Sequence, residues 1–223
     1  MSIDFLGMAE AEGVISMVQV QRPVHQEKAR QFYLRPVSKA EIDHFLAAQV
    51  SLSFSYAAVG ASQGAPPGGS TVDHNRVQLG SGLTVYDQAC AALQRWEMFN
   101  LGWVKLCWPD QPLQPGVTVG VVAQLWGVQI LNACRIVYTF DESTEEGKRF
   151  GFAYGTLPGH IERGEERFQI EWRRRDDSVW YDILAFSQPA HWLAHLGYPV
   201  TRFFQKRFAR HSKAAMERSI HEH

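Results

Sequence analysis

His160, Glu162, Glu165 and Glu166 fall within seven positions of the 223-residue chain. No other stretch crowds titratable groups, turn residues and strand-forming residues so closely. A histidine can take or give a proton near neutral pH, and a carboxylate that accepts from its second ring nitrogen fixes its tautomer. On that chemistry His160 is the candidate base, with Glu162 or Glu165 as its partner. The spacing H-x-E-x-x-E matches no metal motif, because the helical HExxH pairing is absent, and no metal is expected. The competing reading is structural: the groups sit in water at a hairpin end, or Glu165 accepts from backbone amides of the turn.

A second set of residues is suited to holding a ligand. Tyr154 and Thr156 alternate along one strand and share a face, where a phenol and a hydroxyl would orient a polar group. Trp126, Asn132, Arg135, Trp180 and Phe204 complete the candidate lining. Tyr154 reads equally as a core aromatic whose hydroxyl finds a backbone partner. Asn132 and Arg135 interrupt the apolar run 130–138 on opposite strand faces. A buried arginine needs an anion, and Asp182, itself in an apolar strand, is the expected structural partner of Arg135. His191 and His195 lie four apart in HWLAH, with no third metal ligand indicated, so packing at a helix corner is the expected role.

Composition limits the function classes. Lys plus Arg number 22 against 23 Asp plus Glu, a net charge of −1, so the chain lacks the basic excess of a nucleic-acid binder. Three cysteines, Cys90, Cys107 and Cys134, show no CxxC spacing and fit reduced, buried thiols in a cytoplasmic protein. The start carries Asp4, Glu10 and Glu12 where a secretory leader needs a basic, then apolar run. No segment reaches the roughly 20 apolar residues of a membrane span. The Gly-Ser-Gly at 80–82 lacks the remaining glycines and lysine of a phosphate loop, and no Rossmann fingerprint or G-x-S-x-G elbow occurs. No cofactor is expected.

The elements that position these residues follow from pattern. Residues 14–20 alternate loosely as a short edge strand. Ser38-Lys39-Ala40-Glu41 is a capping box, and Ile42, Phe45, Leu46 and Val50 continue at helical spacing, predicting a helix over 39–50. Alternation predicts a brief strand at 51–56, and the Gly/Pro-rich 59–69 is a loop, either a lid or a linker. Thr84–Asp87 reads as a second capping box opening a helix to about 98. Six strands in meander order follow: 101–107, 117–126, 130–140, 150–156, 168–174 and 179–186. Apolar residues on both faces of several of them, such as Ile183 and Ala185 against Trp180, Leu184 and Phe186, require cover on both sides. A short helix over 190–196, closed by Gly197, and a second helix from Pro199 supply it. Val200, Phe203, Phe204, Arg207, Phe208 and His211 mark the inner face of that second helix, with Arg202, Lys206 and Arg210 on the solvated side.

The segments GFAYGTLPGH, GEERF, NACRIVY and AFSQP, with LGSGL and YAAVGAS before them, resemble the uncharacterised bacterial and plant family called domain of unknown function 1990. The resemblance covers about 51–219, and it brings no activity with it. Gln188 stands where an FSRP-like segment would carry arginine, so no cation is implied there. The element order is also similar to the helix-grip fold of START domains and birch-pollen allergens, in which a curved sheet grips the last helix around an apolar cavity. That similarity implies an α+β fold and is a fold-level argument only.

The expectation is therefore an antiparallel sheet of six or more strands curved around a long C-terminal helix. Residues 1–70 form an elaboration and 71–223 the core, or all of it is one domain. Three functions fit: a binder of a small apolar or amphipathic molecule between sheet and helix, an enzyme with acid–base groups in the 157–166 loop, or an interaction module using the basic helix face or exposed aromatics.

Overall fold

Short turns with left-handed residues set the topology. Between the fourth and fifth strands Trp126 and Gly127 both have positive φ, 47° and 83°, the two-residue turn whose twist matches that of a hairpin. In the computed structural model the described residues are 31–108, 110–189 and 194–221; the expected strand at 14–20 lies outside them. The order is β1 (Phe32–Tyr33), α1 (Lys39–Gln49), β2 (Thr71–Ser81), α2 (Leu83–Gln94), β3 (Val104–Cys107), β4 (Thr118–Leu125), β5 (Val128–Ser143), β6 (Gly147–Thr156), β7 (Glu162–Arg173), β8 (Ser178–Pro189) and α3 (Ala194–His221). The sheet runs β2-β8-β7-β6-β5-β4-β3, with β1 added along β5, and every pairing is antiparallel. The fold is α+β, with the expected six-strand meander and a long final helix.

Both faces of the sheet are covered. On the inner face α2 and α3 bury Tyr86, Leu93 and Met216 against Phe152, Phe168, Ile170 and Tyr181. The Tyr181 hydroxyl lies 2.8 Å from the Ser212 hydroxyl of α3, which ties helix to sheet. On the outer face α1 sets Phe45 and Leu46 against Val122, Leu131 and Leu157. The capping box of α1 is present as expected, Ser38 and Glu41 each accepting from the other's amide.

Four expectations are corrected. Residues 51–56 form bends and turns rather than a strand; the segment crosses the outer face, where the Ser55 amide donates to the Thr156 carbonyl over 2.9 Å. Helix α2 starts from Gly82 with no side-chain cap, so Thr84 lies inside it. The strand β2 escaped the pattern reading because its inner-face residues include Asp73 and Asn75, which leaves both faces polar. Finally, β8 continues to Pro189 because β2 pairs with it as far as Ser187 and β7 as far as Pro189. The last helix is then one continuous element through Gly197 and Pro199.

The expected Arg135–Asp182 pair does not form, since β6 and β7 stand between the strands that carry them. Asp182 instead faces His74, Arg167 and Arg76 at 2.6, 3.1 and 3.4 Å on the outer face. Arg135 donates to the carbonyls of Gln49, Val50 and Leu52 at 3.0, 2.7 and 2.9 Å. A guanidinium there satisfies carbonyls that the last turn of α1 leaves open. Arg135→Met should therefore lower unfolding free energy by about 1–3 kcal/mol in a urea titration. Arg135→Lys should recover only part of this, because an ammonium lacks the planar fork; full recovery by lysine would contradict the capping role.

Candidate functional site

Between the inner face and α3 lies a cavity of about 460 Å³. Its walls are apolar, including Phe99, Trp103, Val104, Val121, Phe204 and Phe208. Helix α3 contributes Val200, Thr201, Phe204, Gln205, Phe208 and Ala209, a stripe at helical spacing. A second hollow of about 650 Å³ runs along Pro36, Ile42, Arg95, Glu97 and Lys105.

One end of the first cavity is polar, and sheet register explains why. Asp73, Ala185, Glu166 and Tyr154 are cross-strand neighbours over β2, β8, β7 and β6, so all four point inward. The Tyr154 hydroxyl donates to Glu166 Oε2 over 2.7 Å, and its ring packs on Phe168 and Phe99. Burial pushes the Tyr154 phenol well above its ordinary range, so it serves as a donor. Burial also raises the Glu166 carboxyl to about 7, against the lowering effect of that hydrogen bond, with Glu162 and Asp73 adding to the rise. Glu162 is raised in the same way by burial, partly offset by the Gln205 amide that donates to it and by Arg202. Arg202 forks onto Asp73, its Nη2 donating over 2.6 Å. It thus belongs to this end of the cavity and not to the solvated helix face expected for it.

His160 is carried over the cavity by the loop 157–161. The Gly159 amide donates to Gln49 Oε1 over 2.8 Å, and the Ile161 amide to Asn132 Oδ1 over 3.3 Å. A Cβ at Gly159 would fall 2.7 Å from the Phe45 ring, so the loop can lie this close to α1 only with glycine there. His160 Nδ1 accepts from the Glu162 amide over 3.0 Å, which assigns the ring proton to Nε2. Burial lowers the imidazole to about 4. These side chains are surrounded by protein yet touch the cavity space, so they count as partly accessible while being largely desolvated.

Of the candidate acid–base residues, His160 and Glu162 face the cavity, but the contact to His160 comes from the Glu162 backbone. Glu165 is 2% exposed, and its carboxylate accepts from Tyr56 Oη at 2.6 Å, the amides of Gly60 and Ser62 at 2.7 and 3.0 Å, and the Ser62 hydroxyl. The amides it caps are those of the 59–69 loop and not of its own turn, and the contact ties that loop to the sheet. Tyr154, Thr156 and Phe204 line the cavity; the Thr156 hydroxyl accepts from the Gly164 amide and meets Ser55. The other four candidates lie elsewhere. Trp126 is 78% exposed at its turn, Asn132 anchors the loop, Arg135 caps α1, and Trp180 is stacked under Arg76 and Arg173 on the outer face. Phe203, assigned to the inner helix face, is 57% exposed.

Sequence reasoning missed Asp73, Gln205 and the inward turn of Arg202. The available signal was the even spacing of 162, 164 and 166, which places Glu162 and Glu166 on one strand face and Glu165 on the other. Among the described residues no group of three or more His, Cys, Asp or Glu is placed to hold a metal. The side chains of His191 and His195 lie outside the described residues.

Because the Glu166 carboxyl is raised above its unfolded value, folding favours its protonated form, and the stability it contributes at low pH is lost between about 4.5 and about 7. His160 has the opposite sign: its depressed value contributes stability above about 6.5 that is lost as pH falls toward about 4. Glu166→Gln should therefore raise the thermal midpoint at pH 8, by roughly 1–2 kcal/mol of stability, and leave it little changed at pH 4.5. Equal effects at both values would contradict the assignment.

Comparison with known proteins places the chain. It is 45% identical over 144 residues to a UPF0548 protein of Dictyostelium discoideum, covering 61% of this chain and 67% of that one. It is 37% identical over 155 residues to the UPF0548 protein At2g17695 of Arabidopsis thaliana, covering 68% and 74%. A UPF0548 protein of Deinococcus radiodurans is 35% identical over 192 residues, covering 81% and 94%. Among solved structures, Ara h 8.0201 aligns with a TM-score of 0.44 at 12% identity, over 70% of this chain and all of that one. The hypothetical protein jhp0584 of Helicobacter pylori aligns with a TM-score of 0.44 at 10% identity, over 67% and 88%. The model of the family described as Domain of unknown function (DUF1990) matches residues 55–215, and the chain belongs to that family.

Proposed function

We propose that this protein binds a small amphipathic molecule in the cavity between the sheet and α3, apolar body along the aromatic wall and polar group at the Tyr154–Glu166 end. The volume of about 460 Å³ lies within the range of small-molecule sites, and apolar walls with a few converging polar groups are their usual make-up. The observation that carries the reading is Glu166: an inward-facing carboxyl with one side-chain donor, at a place where a packed core would put an apolar residue. The described residues 31–70 act as an elaboration packed on this core. Three free thiols fit a cytoplasmic setting.

A second reading is acid–base chemistry on the bound molecule. It is favoured by a carboxyl at about 7 and a neutral imidazole at the same cavity end, since a general base works best near the operating pH. Glu166 and His160 would be the working groups, with Tyr154 positioning. A compound recovered chemically unchanged after prolonged incubation with the protein counts for binding alone.

The neutral apolar fluorophore N-phenyl-1-naphthylamine tests the primary reading. It should bind at one equivalent with enhanced emission, and Ala185→Trp, which fills the cavity floor, should weaken it at least tenfold while circular dichroism stays unchanged. No binding, or equal binding by the filled variant, overturns the proposal.

A further inference from the structure

We propose that the molecule held in this cavity is a cationic amphiphile, a protonated amine seated against Glu166 with an apolar chain or ring along Phe99, Trp103 and Phe208. The inference rests on the small-molecule reading above and names its ligand class. The polar end brings three carboxyl groups inward, Asp73, Glu162 and Glu166. The described cation beside them, Arg202, is engaged in a fork with Asp73. Glu162 is held by the neutral Gln205 amide, and Glu166 by the neutral Tyr154 hydroxyl. His160 is uncharged at neutral pH. The cavity end is therefore short of positive charge, in surroundings where charges interact more strongly than in water.

Other ligand classes fit less well. An anionic headgroup such as a fatty-acid carboxylate would add a further negative charge to the same wall. A neutral alcohol would need only a hydrogen bond from protonated Glu166 and would leave the acidic field unanswered. An ammonium supplies the counter-charge and donors together. Its binding must favour ionised Glu166, so affinity should rise with pH through about 7.

Among the described residues, the other groups facing Glu166 do not reverse that sign. The Tyr154 and Tyr181 phenols, on β6 and β8, are raised well above 10, and the Cys134 thiol on β5 is pushed far up by burial. Glu162, on β7 itself, is raised and acts in the same direction as Glu166. Asp73 on β2 is paired with Arg202 of α3. His160 takes up its proton only near 4.

Three ten-carbon probes test the inference by isothermal titration calorimetry: decylamine, 1-decanol and decanoate, at about pH 8 and about pH 5.5. Decylamine stays protonated at both. It should bind at least tenfold more tightly than decanol at pH 8, with decanoate weakest, and should lose roughly tenfold in affinity at pH 5.5. Glu166→Gln should remove most of the preference over decanol, and Glu162→Gln a smaller part. The wild-type pH profile stands by itself if a variant fails to fold. Decanol or decanoate binding as tightly as decylamine would overturn the amine and leave the small-molecule reading standing. Binding of none of the three would overturn both.

Discussion

A carboxylate beneath protein must find donors or a counter-charge, and adjacent residues of β7 meet that constraint in opposite ways. Glu165 turns to the outer face and collects four hydrogen bonds from Tyr56, Gly60 and Ser62, which binds the glycine-rich loop to the sheet. The close approach depends on Gly155, where a Cβ would fall 2.1 Å from the Tyr56 hydroxyl. Glu166 turns inward to a single side-chain donor and an open space. A strand can divide two carboxyls between faces in this way only in a sheet covered on both sides.

The rest of the architecture keeps that space open. Phe99 packs on Tyr154, Phe168 and Phe208, a cluster joining sheet, inter-element turn and α3 at one side of the cavity. The Tyr181–Ser212 contact fixes α3 further along, while Arg202 and Gln205 hold it at the polar end. The helix is thereby supported at both ends of the cavity and does not collapse onto it. Trp103, under Arg207 and bonded to His211, extends the wall without a polar atom left exposed to the interior.

Much of the fold was legible in the sequence because the signals were local. The capping box of α1 and the strand-forming apolar runs of β4 to β8 each follow from neighbouring residues. The misses share a cause. β2 carries Asp73 and Asn75 inward at the cavity's polar end, which removes the alternation that marks a strand. Pro199 and Gly197 suggested a break, yet the helix runs through both and is held further along by long-range contacts from Arg202 and Ser212 to the sheet. At the site, the roles of Glu165, Asn132 and Arg135 depended on partners between about 30 and 110 positions away. Arg135 and Asp182 were each correctly recognised as needing a partner, and the identity of those partners lay in strand order that no local pattern encodes.

The central claim is that the space between the sheet and α3 receives a ligand. It is tested most directly by intermolecular nuclear Overhauser effects between undeuterated, neutral N-phenyl-1-naphthylamine and the methyl groups of the otherwise deuterated protein. The account predicts contacts to Val104, Val121 and Ile183, which line the cavity. Contacts confined to exposed methyls such as those of Val72 and Leu83 would contradict it.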